Sequence, residues 1–258
     1  MKRLKGILCL VLVFSLAGCF EIEEKVDIKQ NGTGELTVNT DMSQMLGMME
    51  SMMGKEEMEK QLPRKSVDTT VLMKDFIDTS KSMSAENKAL FRTGKMHLKL
   101  NMAEKVFKAN MNFPFTSLAN LQKLYTAMND GSLNTTGMFK DLTSGRSSGN
   151  DDSAAGSPDM NQFNSIYSFT VKDGTISRKL DPAKWKNLQE SPQFSQMKQT
   201  SSMGIEMPYT LVVNLPRPVK KIDNSLATLS PDKKTVTIKY NLTEVFDNPE
   251  KFEYTIAY

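Results

Sequence analysis

Residues able to do covalent or metal chemistry are scarce in this chain. It has two cysteines, Cys9 and Cys19, and one histidine, His97. Both cysteines lie in the opening segment, so no disulfide can hold the rest together, and no thiol remains there for nucleophilic or zinc chemistry. His97 interrupts a run in which Met96, Leu98, Leu100 and Met102 alternate, which puts the imidazole on the opposite, wet face of a strand. Basic clusters are missing too. Only pairs such as Lys220-Lys221 and Lys233-Lys234 occur, so the electrostatic footprint of a nucleic-acid binder is absent. Gly145-Arg146-Ser147-Ser148-Gly149 matches the G-x-S-x-G nucleophile elbow, but it sits in low-complexity sequence with no histidine after it. The acidic pairs Glu23-Glu24, Glu56-Glu57 and Asp151-Asp152 place neighbours on different faces of a strand or helix, and they read as solvated charge. The spacing of an EF-hand calcium loop does not occur. No catalytic residue, metal site or cofactor is assigned, and an enzyme is not expected.

Long apolar runs are equally rare. The longest, residues 7–14, is too short to span a bilayer as a helix. It follows Lys2, Arg3 and Lys5 and precedes Leu16-Ala17-Gly18-Cys19, the layout of an export signal covering residues 1–18. The Leu-Ala-Gly-Cys ending resembles the lipobox of bacterial lipoproteins. That resemblance implies that Cys19 takes a diacylglyceryl group, becomes the new N-terminus and anchors the protein in a membrane. Each buried acyl methylene contributes about 0.8 kcal/mol, so several chains on one cysteine make a nearly permanent anchor. The alternative is a plain secretory signal with a chance cysteine. Phe20, where some lipoproteins carry aspartate, resembles the pattern of lipoproteins sent to the outer membrane of Gram-negative bacteria. Removing residues 1–18 leaves 240 of the 258 residues and takes three basic residues from 33, so 30 basic balance 30 acidic. The mature chain is neutral.

Residues 19–258 read as a single α+β domain: an antiparallel sheet built from hairpins, with helices packed on one face. Ile22, Val26 and Ile28 alternate with charged residues, Asn31-Gly32-Thr33-Gly34 forms a turn, and Leu36 and Val38 resume the alternation. A second hairpin joins the Met96 to Met102 alternation to Phe107, Ala109, Met111 and Phe113. A third joins Tyr167, Phe169 and Val171 to Ile176 and Leu180 through Asp173-Gly174. Ser117 is placed to cap a helix carrying Leu121, Leu124 and Tyr125, and Asp181-Pro182 starts another. Residues 85–91 read as a short helix, and residues 67–77 are ambiguous between strand and helix. Further strands centre on Leu211, Ile238 and Ile256. From about 131 to 161 the pattern dissolves into Ser, Gly, Asn and Asp, which predicts a disordered insertion.

Methionine is the conspicuous surplus, nineteen in all and six between residues 42 and 53. On a helix, Met42, Met45, Leu46, Met49, Met52 and Met53 fall within an arc of about 120°. Three readings follow: core filling, an adaptable surface for lipid or a partner, or a copper(I) thioether site. The last lacks a nearby histidine or thiol. Met42, Met45, Met49, Met52 and Met53 are therefore the candidate apolar binding face.

Residues 20–38, a strand, an Asn-Gly turn and a second strand directly after the lipobox, resemble the opening of the LppM-type lipoprotein domain. Val213-Asn214-Leu215-Pro216-Arg217-Pro218-Val219 and the later Ser230-Pro231-Asp232-Lys233-Lys234-Thr235-Val236-Thr237 are similar to that family's closing strand and turn. Together they cover about a fifth of the chain. The resemblance implies a sheet-and-helix module with an apolar cavity for envelope lipids, although the methionine-rich middle departs from it, as does the lack of a C-terminal membrane-spanning helix. The expected function is a lipid-anchored, non-enzymatic envelope protein that binds a lipid or other amphiphile. The alternative is a structural lipoprotein docking to another envelope protein through the methionine helix.

Overall fold

A computed structural model describes residues 20–61, 66–80, 83–130, 133, 138, 142, 164–191, 194–195, 198–199 and 206–258. The export signal and Cys19 fall outside these residues. So does the predicted insertion, apart from Leu133 and Met138, which are buried in the core, and Leu142, which packs against it.

The first hairpin forms where its turn signal stands. Strands β1 (Glu21–Ile28) and β2 (Gly34–Asp41) pair antiparallel around Gly32, whose φ of 76° suits glycine. Gly34 is required for a different reason, since a Cβ there would lie 1.8 Å from the Asp27 carbonyl oxygen. After β2 come helices α1 (Ser43–Met53) and α2 (Lys55–Gln61), separated by Gly54 at φ 81°. The ambiguous stretch divides into strand β3 (Ser66–Leu72) and a single helical turn, α3 (Lys74–Ile77). Helix α4 (Ala85–Phe91) precedes the hairpin β4 (Lys95–Asn101) and β5 (Val106–Phe115). Helix α5 (Leu118–Asn129) begins at Ser117, whose hydroxyl accepts the Asn120 amide at 3.2 Å.

The hairpin β6 (Tyr167–Lys172) and β7 (Thr175–Leu180) turns at Gly174, and Asp181 caps α6 (Pro182–Gln189) by accepting two amides at 3.1 Å. The remaining strands are β8 (Pro208–Asn214), β9 (Lys221–Ile222), β10 (Ala227–Leu229), β11 (Thr235–Asn241) and β12 (Tyr254–Ala257). Two 3-10 stretches, Leu242–Phe246 and Pro249–Phe252, join the last two strands.

The fold is α+β, but it contains two sheets where one was expected. The larger has eight strands in the order β10-β11-β8-β1-β2-β5-β4-β3, and the smaller has four, β6-β7-β12-β9. The first strand takes β8 as a parallel neighbour, with Val26 opposite Val213. That pairing seats β8 between β1 and β11, and the β6–β7 hairpin pairs with β12 in the second sheet.

One face of the large sheet carries Val26, Leu36, Met96, Phe113, Leu211, Val213 and Ile238, all buried. Against it pack α3, α4 and α5 and, beside them, the small sheet through Tyr167, Val171, Ile176 and Ile256. Phe91 of α4 meets Phe113 edge-on at 5.4 Å. The opposite face is a polar ladder: Asn39 donates to Glu23 at 3.1 Å, and Thr235 donates to Asn214 at 2.8 Å. His97 lies on this wet face as expected, its Nε2 2.9 Å from Asp68.

Candidate functional site

Two features stand out from the packing. One is buried and charged, the other exposed and apolar.

The buried one begins with Glu24. It was expected to be solvated together with Glu23, and that expectation is wrong: its phase along β1 is that of Ile22, Val26 and Ile28, so its carboxylate points into the core and is 7% exposed. Two phenols satisfy it, Tyr125 of α5 and Tyr209 of β8, each donating its hydroxyl to one carboxylate oxygen. Tyr209 stacks on Tyr240 of β11 with ring centroids 4.9 Å apart, and the Tyr240 hydroxyl accepts from Arg178 of β7 at 2.9 Å. Arg178 lies on the apolar phase of its strand with Ile176 and Leu180. Its guanidinium sits 3.9 Å from the centre of the Tyr167 ring, and the Tyr167 hydroxyl donates to the Pro249 carbonyl at 2.8 Å. A buried anion on the large sheet is thus linked through aromatic side chains to a buried cation on the small one.

The environment pushes every phenol in this cluster up. Burial is the main cause for Tyr125, Tyr209 and Tyr254, reinforced by the Glu24 charge. Burial also raises Tyr240, to about 12, while Arg178 works in the opposite direction. Burial opposes charge on Arg178, but the surrounding tyrosine oxygens outweigh it and keep the guanidinium protonated. Chemically, this is a buried polar link between the two sheets, in which the Arg178 Nε has no hydrogen-bond partner among the described residues.

The exposed feature belongs to α1. The methionine stripe is a real helical face, but the structure divides it. Met42 is buried with Leu46 against Leu98, Leu100, Phe107 and Ala109 at one end of the large sheet. Met49 is half-buried, Met52 is 73% exposed and Met53 37%. The side chain of Met45 lies outside the described residues. The base of the stripe therefore fills core, and its tip does not.

Strand register locates that tip. Glu21 pairs with Asp41 and Asp41 with Lys108, so the start of β1, the end of β2 and the start of β5 share one end of the sheet. Phe20, the residue after Cys19, packs there on the cluster of Met42 and Leu46. Lys105, in the β4–β5 turn at the same end, pairs with Glu50 of α1 at 2.6 Å. The exposed methionines thus lie at the end of the sheet that holds Phe20.

Two open clefts have different chemistry. One, of about 570 Å³, lies between the β1–β2 turn and the start of α5, lined by residues such as Lys29, Asn31, Ser117 and Arg217. The other, of about 630 Å³, lies beside α5 and α6, where Asn129, Lys184 and Asn187 join Tyr167 and Phe169. Neither is lined by methionine. Among the described residues, no group of three or more His, Cys, Asp or Glu side chains is placed to hold a metal, and no helix is long and apolar enough to cross a membrane.

Compared with protein-family models, curated proteins and solved structures, this chain has no match.

Proposed function

We propose that this chain is a lipid-anchored, non-enzymatic protein of the bacterial outer membrane, held through acyl chains on Cys19, that binds a lipid or other amphiphile at a surface. The working part is the tip of α1. The observation that carries this reading is the division of the stripe: Met42, just before α1, and Leu46 within it are committed to the core, while Met52, near the far end of the helix, is 73% exposed. Met53 beside it is 37% exposed and widens the same apolar tip, and the flexible thioether chain of methionine adapts to irregular apolar partners. Neither of the two open clefts is lined by methionine, so the reading puts the amphiphile on the helix and not in either of them.

Growing cells that express the full chain with labelled palmitate tests the anchor: wild type takes up label, Cys19→Ser does not, and an unlabelled wild type ends that part of the proposal. A photoreactive diazirine residue at position 52 tests the tip. Amphiphile adducts at 52, absent when the same residue replaces Asn31, are expected. Adducts solely with a protein would replace this reading by docking to an envelope protein.

A further inference from the structure

We infer that the amphiphile met by the α1 tip is the surface of the same membrane that holds the acyl chains, so that the domain touches the bilayer at two points. This rests on the reading of Cys19 as acylated. Phe20 follows Cys19 directly and is packed beside Met42 and Leu46, so lipid attached to Cys19 starts at the base of α1. The helix has 11 residues and is about 16 Å long. Its exposed end therefore stays within a short distance of any bilayer that receives the anchor.

The charges at this end decide which lipid surface fits. Lys105 is paired with Glu50 at 2.6 Å and Lys108 with Asp41 at 2.9 Å, while Glu21 and Glu104 at the same end add negative charge, so the tip suits zwitterionic headgroups and not anionic ones. Beyond Gly54, the exposed Lys55, Glu56 and Glu57 form a charged collar. Such a collar remains in the headgroups, so penetration stops near the headgroup–acyl boundary, about 5–10 Å deep as for interfacial helices. The first strand runs away from this end for eight residues, about 26 Å, which carries the turn at Asn31 clear of the surface. Two contacts a helix length apart would hold the large sheet end-on to the membrane.

The mature acylated protein has no free thiol, so Met52→Cys and Asn31→Cys each introduce a single site for an environment-sensitive dye. The labelled full-length proteins are reconstituted in phosphatidylcholine vesicles with or without a doxyl-labelled lipid, and flotation is measured alongside. The expectation is flotation of both proteins, at least twofold quenching at position 52 and none at 31. If wild type does not float, the anchor reading falls and this inference falls with it. If it floats and position 52 is unquenched, the inference alone is overturned. Shielding of 52 from iodide without doxyl quenching would assign the tip to contact between copies of the chain instead.

Discussion

Glu24→Leu should be among the most damaging single substitutions in this fold, although leucine suits the apolar phase of β1. The carboxylate accepts from Tyr125 and Tyr209. Hydrogen bonds to a charged group contribute about 1.5–3 kcal/mol each. Arg178, 2% exposed, makes no direct ion pair with Glu24 and is reached only through Tyr209 and Tyr240, so the two lost hydrogen bonds set the cost. The expected loss is therefore about 3–6 kcal/mol. For a chain of this size each kcal/mol lowers Tm by roughly 2–4 °C, so a fall of about 10 °C or more is expected. Glu24→Gln keeps one carbonyl acceptor and the shape, and should lose about 1–3 kcal/mol. Urea unfolding followed by far-UV circular dichroism, with Tm from thermal scans, measures both. Adding Arg178→Met to Glu24→Leu should recover at least 1 kcal/mol of the summed single losses, because the double variant leaves no orphaned charge. Strict additivity would show that the tyrosines do not couple the two charges. A Glu24→Leu protein within 1 kcal/mol of wild type would refute the whole account of the link.

All six tyrosines are buried and all are raised, burial being the leading cause for each. Because the folded values exceed the unfolded one, stability is fully present below pH about 10. It is then lost as pH rises toward the folded values, such as about 12 for Tyr240, by up to about 1.4 kcal/mol per pH unit for each phenol. Absorbance at 295 nm should accordingly show no phenolate until circular dichroism reports unfolding, and ionisation of the native protein near pH 10 would contradict the burial assigned to these rings. Within α1, Leu46→Ala should cost about 2–5 kcal/mol and Met52→Ala less than about 0.5, the contrast between a filled core position and a free tip. Equal losses in urea unfolding would mean that the tip is core after all.

Local elements were legible because their causes are local. Alternation marked the strands, Asn31-Gly32 and Asp173-Gly174 marked two hairpin turns, and Ser117 and Asp181 marked helix starts that their side chains do cap. The split of residues 67–77 into a strand and a helical turn was not legible. Periodicity over a few residues does not separate the two, and pairing of β3 with β4 settles it. Glu24 and Arg178 could have been found. Each is a charged residue standing in the apolar phase of an alternating strand, and reading Glu24 with its neighbour Glu23 as a pair obscured its phase with Ile22 and Val26.

The polar link itself had no sequence signature. Its members come from β1, α5, β6, β7, β8 and β11, and Glu24 and Tyr209 are 185 residues apart. Their meeting depends on the parallel seating of β8 against β1 and on the small sheet closing over the same face, long-range choices that a period of two residues does not encode. The same distinction runs through α1. The amphipathic stripe is written in the spacing of its methionines, whereas the burial of Met42 and not Met52 is decided by the packing of Met42 and Leu46 on Leu98, Leu100, Phe107 and Ala109. Spacing along a chain fixes which side chains share a face; the extent of the surface opposite that face fixes how many of them leave water.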